Sequence, residues 1–173
     1  MQNSQNLIRK ISHGALIAAV YTAITLMLSP IGFGVVQFRV SEALTMLAIF
    51  SPFAGLSVTL GCFMSNLIGM FMGLSSIWDV ILGPIATGIA AYFSYLFRNV
   101  RIKKSPVLSA LMPVVFNAFI IGIMLTVLYY DINIFTMIMN IISVGAGEFC
   151  ACFLIGLPLI RLFERNGLDS FYI

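Results

Sequence analysis

Charge is what this sequence has least of. Nine Lys/Arg and six Asp/Glu leave only 9% of its 173 residues charged, against about 25% in an ordinary soluble domain. The remainder is 61% hydrophobic, with a mean hydropathy of +1.08. A soluble globular fold is excluded by this balance, and so is any sizeable soluble domain beside a membrane part. Chemistry-bearing motifs are absent too. The sequence holds no GxxxxGK[ST] loop, HExxH pair, GxSxG elbow or Cys-His constellation, so it has no visible means of hydrolysing a nucleotide or forming a covalent intermediate. We therefore expect no enzyme, no cofactor and no metal. Cysteine is scarce as well: Cys62, Cys150 and Cys152 all fall in apolar stretches, at spacings that suit neither a zinc site nor a disulfide frame.

What is present is apolar chain in lengths that fit a bilayer. A hydrocarbon core needs about 20 residues per helical span, and polar or Pro/Gly-bearing breaks divide the chain into apolar segments at about 11–28, 38–50, 53–72, 79–97, 107–130 and 135–160. Alternating polarity is missing and lipid tolerates no unpaired backbone group, so these are predicted helices. The expectation is an all-α integral membrane protein: one domain over 1–173 with six transmembrane helices. Arg9 and Lys10 precede the first segment without a small-residue cleavage site behind it, so that segment is read as a permanent span rather than a signal peptide. The second segment is short, reaching about 20 Å as an α-helix, and calls for tilt or an ordered loop shielded by protein.

Basic residues gather in three places: Arg9 with Lys10, the run RNVRIKK at 98–104, and Arg161 with Arg165. The positive-inside rule puts all three in the cytoplasm, and six spans with both termini inside place the 98–104 loop there too. We read these runs as topogenic charge rather than a nucleic-acid or lipid site, and expect no nucleic-acid partner.

Polar side chains at membrane depth are costly and face a cavity, a partner or one another. They are Gln37, Arg39, Glu42, Asn66, Asp79, Asn117, Asn140 and Glu148. Glu148 precedes Arg161 by about 20 Å of helix, and Asn140, Val144 and Glu148 share one helical face. These groups either bind a solute or act as interhelical glue. Arg39 and Glu42, at i and i+3, could pair on a helical turn. Ala15, Ala19 and Ala23 make a smooth stripe on the first span, a spacing that admits close approach by another helix, inside the bundle or outside it.

QFRVSEAL at 37–44, GLSVTLGCFMSNL at 55–67 and WDVILGPIAT at 78–87 together resemble the queuosine precursor transporter family (QueT), a group of substrate-binding S components of energy-coupling factor transporters. The resemblance covers nearly the whole chain and implies an S-component-like bundle of six helices with both termini cytoplasmic, in a prokaryotic plasma membrane. It implies capture of a 7-deazaguanine base such as 7-aminomethyl-7-deazaguanine from outside, delivered through a transmembrane coupling subunit and two cytosolic ATPases. In that setting the alanine stripe would be the docking surface. Glu42, Asp79 and Glu148 would accept from the guanine edge and an aminomethyl cation, and Arg39 or Gln37 would donate to the carbonyl. Asn66, Asn117 and Asn140 would complete the polar ring, with Trp78 or Tyr130 stacking at the rim. Two other classes stay open from the residues alone: a structural or assembly subunit that binds no solute, and an autonomous secondary transporter. Against the latter, the two halves show no internal repeat.

Overall fold

The computed structural model describes residues 2–33, 38–129 and 133–167. Helix α1 (Gln2–Met27) is followed by a single turn, α2 (Ser29–Gly32), and by a 3₁₀ helix (Val40–Ile49). The chain continues through α3 (Pro52–Phe71), α4 (Ile77–Leu96) and α5 (Val107–Tyr129). Helix α6 (Ile134–Phe149) then runs through a π-helical segment (Cys150–Gly156) into α7 (Leu157–Arg165). No strand occurs among the described residues, and the protein is an all-α membrane protein. Among the described residues, five helices are long and apolar enough to cross a bilayer: Leu7–Met27, Pro52–Phe71, Ile77–Leu96, Val107–Leu128 and Ile134–Arg165.

The expected second span takes a different form. Its ten residues are wound as a 3₁₀ helix, which rises about 2.0 Å per residue, so the segment reaches about 20 Å where an α-helix would reach about 15 Å. Such runs rarely exceed four residues because their hydrogen bonds are poor; here packing on nearly every side holds one. Ser41 through Ile49 are buried with the single exception of Leu44. The thin 3₁₀ helix lies against the wide π segment, and Gly156 permits the contact. A Cβ at that position would stand 2.7 Å from Met46 Cγ and 3.2 Å from the Ala43 carbonyl oxygen.

Buried polar groups tie the long helices together. Pro113 cannot donate to the carbonyl of Ser109, and that carbonyl accepts from Ser94 Oγ of α4 at 2.8 Å, while Ser109 Oγ donates to the Ser94 carbonyl at 2.9 Å. A proline inside a membrane helix is thereby satisfied by its neighbour. Helix α4 opens with a capping box between Ser76 and Asp79. It is clamped by Asn66 Nδ2, which donates to the Asp79 carbonyl at 2.9 Å.

The three basic clusters meet at one end of the bundle. Arg101 Nη2 pairs with Glu164 Oε1 at 2.6 Å, Arg161 donates to Ser105 Oγ at 2.6 Å, and Lys10 lines a cavity with Arg98 and Arg101. Between α4 and α5 the chain reverses through a two-residue loop, Lys103 and Lys104, with φ of 49° and 65°, as a type I′ turn requires. Asp79 stands at the opposite end of α4 from Arg98, about 30 Å away at 1.5 Å per residue.

Candidate functional site

Away from the basic end, the 3₁₀ helix, α4, α5 and α6 enclose a small cavity lined by Arg39, Glu42, Gly83, Thr87, Asn117 and Glu148, with Ile121 and Val144 as its apolar wall. Four of the residues expected from the sequence converge here from elements far apart in the chain. In this conformation the space admits little more than one water molecule.

Glu42 is the most heavily engaged group. Its Oε1 accepts from the Tyr21 hydroxyl at 2.5 Å and from Thr87 Oγ1 at 2.9 Å, and its Oε2 accepts from Thr45 Oγ1 at 2.7 Å. The Thr45 bond follows from the 3₁₀ winding, which eclipses residues three apart. A carboxylate has about four acceptor sites, so Glu42 has little capacity left.

Arg39 does not pair with Glu42, contrary to the i, i+3 expectation. It caps the 3₁₀ helix in an extended conformation, φ −96° and ψ 93°, so its side chain departs before helical spacing applies. The guanidinium instead lies 3.9 Å from Asp79 Oδ1, too far for a hydrogen bond, and 5.3 Å above the Phe33 ring. Its Nε and Nη2 have no hydrogen-bond partner, and neither does Asp79 Oδ1. The other Asp79 oxygen is used by the backbone N–H and hydroxyl of Ser76, both at 2.8 Å.

On the facing wall Glu148 and Asn117 line the cavity together, and Glu148 Oε2 and Asn117 Oδ1 are buried without a partner. Buried polar atoms are nearly always satisfied. The cavity thus sets unpartnered acceptors on α5 and α6 against unpartnered donors of Arg39, which suits a polar molecule carrying a donor edge and an acceptor edge. Gly83 bears directly on this geometry. A Cβ there would sit 2.5 Å from Asn66 Nδ2, so the glycine leaves room for the amide that holds the first turn of α4.

The remaining expected residues stand elsewhere. Asn66 is buried beside the site, its Oδ1 without a hydrogen-bond partner. Asn140 Nδ2 donates to Thr126 Oγ1 at 3.0 Å, a link between α5 and α6 that does not line the cavity. Trp78 is 48% exposed on the first turn of α4 and is likewise not part of the lining. Gln37 and Tyr130 lie outside the described residues. Ala15, Ala19 and Ala23 are exposed, while Ile17, Tyr21 and Thr25 of the same helix are buried. The stripe therefore lies on the outer surface of α1 and not in a seam of this bundle. Sequence reasoning missed Tyr21, Thr45 and Thr87. Thr87 closes the WDVILGPIAT stretch, and Tyr21 falls at i+4 from Ile17 and i−4 from Thr25, a spacing that could have revealed the buried face.

A family model described as QueT transporter matches residues 11–165. The queuosine precursor transporter QueT of Lactococcus lactis subsp. cremoris (strain MG1363) is 42% identical over 76 residues, covering 42% of this chain and 41% of that protein. The match thus spans about two-fifths of the length of this relative. No solved structure matches the chain.

Proposed function

The chain belongs to the QueT transporter family, and from that premise we propose that it captures a queuosine precursor, a 7-deazaguanine base, from outside the cell. The observation that carries this reading is the opposition, across one cavity, of Glu148 Oε2 and Asn117 Oδ1 to the Nε and Nη2 of Arg39, all buried and unpartnered. A guanine-type edge presents a ring N–H and an exocyclic amine side by side, which Glu148 and Asn117 accept. The ring carbonyl, which flanks that N–H at the end of the same edge, accepts from Arg39. Asp79, beside the guanidinium, serves a cationic substituent such as an aminomethyl group. Glu42, held by three hydroxyls, positions the 3₁₀ helix that carries Arg39.

The narrowness of the cavity has a mechanical consequence in this reading. A bicyclic base enters only when the walls part, and α5 with α6 forms the wall that carries the accepting groups. Binding therefore couples to helix movement, as an import cycle requires.

The chain works in this proposal as the S component of an energy-coupling factor importer, with ATP hydrolysed by two cytosolic partner subunits and not by this chain. Its exposed alanine stripe on α1 is the surface for the transmembrane coupling subunit. Both termini and the basic end face the cytoplasm of a prokaryotic cell, which places the cavity toward the outside. The test is calorimetric titration of the purified chain in detergent with 7-aminomethyl-7-deazaguanine, 7-cyano-7-deazaguanine, queuine, guanine and adenine. Saturable 1:1 binding of a deazaguanine, absent with adenine, is expected. Binding of none of the panel would remove the substrate assignment and favour a subunit that binds no solute.

A further inference from the structure

Two cavities on the outside of the bundle meet at its basic end. One, about 1040 Å³ of open space, has Lys10, Arg98 and Arg101 in its lining, with Glu164 and Ser51. The other, about 650 Å³, follows the seam between α3 and α4 past Gly55, Thr59, Gly88, Ala91 and Tyr92. Pro52 and Tyr95 line both, so the two are continuous. We infer that together they bind one anionic phospholipid, with its phosphate head group in the first and an acyl chain along the second.

The head-group cavity has the charge for this. Among the described residues of its lining Glu164 is the one carboxylate and is held by Arg101 at 2.6 Å, so the described lining has a cationic excess from Lys10 and Arg98. Arg98 is fixed at the junction: its guanidinium lies 3.9 Å above the Tyr95 ring, and its Nη1 donates to the Tyr95 carbonyl at 2.9 Å. Helix α3 begins in the same cavity with Ser51 as N-cap and Pro52 in the first turn, so the positive end of a 20-residue helix dipole adds to the cationic field.

The second cavity has the shape for a chain. Gly55, Gly88 and Ala91 keep its floor low, and the exposed Tyr92 and Leu56 form its sides. It opens on the lateral face of a protein that spans a bilayer, where hydrocarbon is the medium. A free phosphate or a soluble anion would use the basic cavity alone and leave the apolar seam unexplained; a phospholipid uses both. Topogenic charge needs only a position in the loop and has no use for a cavity.

The experiment is native mass spectrometry of the full chain released from detergent, with dioleoyl phosphatidylglycerol or dioleoyl phosphatidylcholine added. A discrete 1:1 phosphatidylglycerol adduct is expected at concentrations where phosphatidylcholine gives none. Lys10→Gln should weaken the phosphatidylglycerol adduct about fivefold and leave phosphatidylcholine unaffected. Gly88→Leu fills the seam and should suppress the phosphatidylglycerol adduct while the basic residues remain. Equal adducts with both lipids would overturn the inference, as would a Lys10→Gln protein with the parental preference. Lys10 is exposed and outside the packed core, so its variant decides the matter even if Gly88→Leu does not fold.

Discussion

The Tyr21 hydroxyl donates to Glu42 Oε1 at 2.5 Å, joining the inner face of α1 to the 3₁₀ helix at the floor of the cavity. Tyr21 is fully buried, and the alanine stripe lies on the opposite, exposed face of the same helix. Loss of this contact leaves a buried carboxylate short of a donor, which costs about 1.5–3 kcal/mol for a charged hydrogen bond. Tyr21→Phe and Glu42→Gln should each lower unfolding stability by that amount, read from SDS-driven unfolding in micelles. Deazaguanine affinity of the folded fraction should stay within about threefold of the parent. A loss of affinity without loss of stability would make Glu42 a direct ligand group.

Glu148→Gln should show the opposite division. The substitution keeps the shape of the side chain and its contact with Asn117 but removes the charge that the base edge requires. Affinity should fall roughly tenfold to a hundredfold, the equivalent of about 1.5–3 kcal/mol. The melting temperature of the ligand-free protein should hold, since the amide keeps the size and shape of the side chain. Titration calorimetry beside a thermal melt reads both quantities.

Gly83→Ala tests the clamp on α4. Its Cβ would enter the space of Asn66 Nδ2, at 2.5 Å, and push the amide from the Asp79 carbonyl. Overpacking and the lost hydrogen bond together predict a destabilisation of about 1–3 kcal/mol. Ligand affinity should weaken alongside, because Asp79 and Arg39 shift with the turn. Parental stability would show that Asn66 has another position open to it.

The exposed stripe on α1 makes a separate prediction. Ala19→Trp should abolish co-purification with the transmembrane coupling subunit and abolish uptake in cells, yet leave deazaguanine binding by the isolated chain unchanged. If co-purification survives the bulky side chain, docking lies elsewhere on the surface.

Orientation is checked by labelling. Asn99 is exposed at the basic end, and Asn99→Cys should resist a membrane-impermeant thiol reagent applied to intact cells, reacting only after the membrane is opened. Native Cys62 and Cys152 are buried, and the parent protein measures the background from Cys150. Labelling of intact cells would invert the topology.

Much of this molecule is settled by local composition. Hydrocarbon demands about 20 apolar residues per helix and leaves no backbone group unpaired, so the all-helical content and the existence of the five long apolar helices follow from hydropathy; their ends do not, since the first helix begins at Gln2 and the last runs on to Arg165. The polar groups at membrane depth were legible as a set, but not which of them share a cavity: Arg39, Glu42, Asn117 and Glu148 line it, whereas Asn140 bonds Thr126 and Asn66 holds the Asp79 carbonyl. Tertiary structure decided the rest. The 3₁₀ winding of Val40–Ile49 is imposed by packing against the π segment more than a hundred residues on, which no local propensity encodes. Arg39 turns to Asp79 rather than to Glu42 because its own backbone is extended, and the hydroxyls of Tyr21, Thr45 and Thr87 reach one carboxylate from three separate helices. Thr and Tyr hydroxyls are inconspicuous in an apolar sequence because a helix can satisfy or bury them locally; that these three converge is a property of how the helices cross.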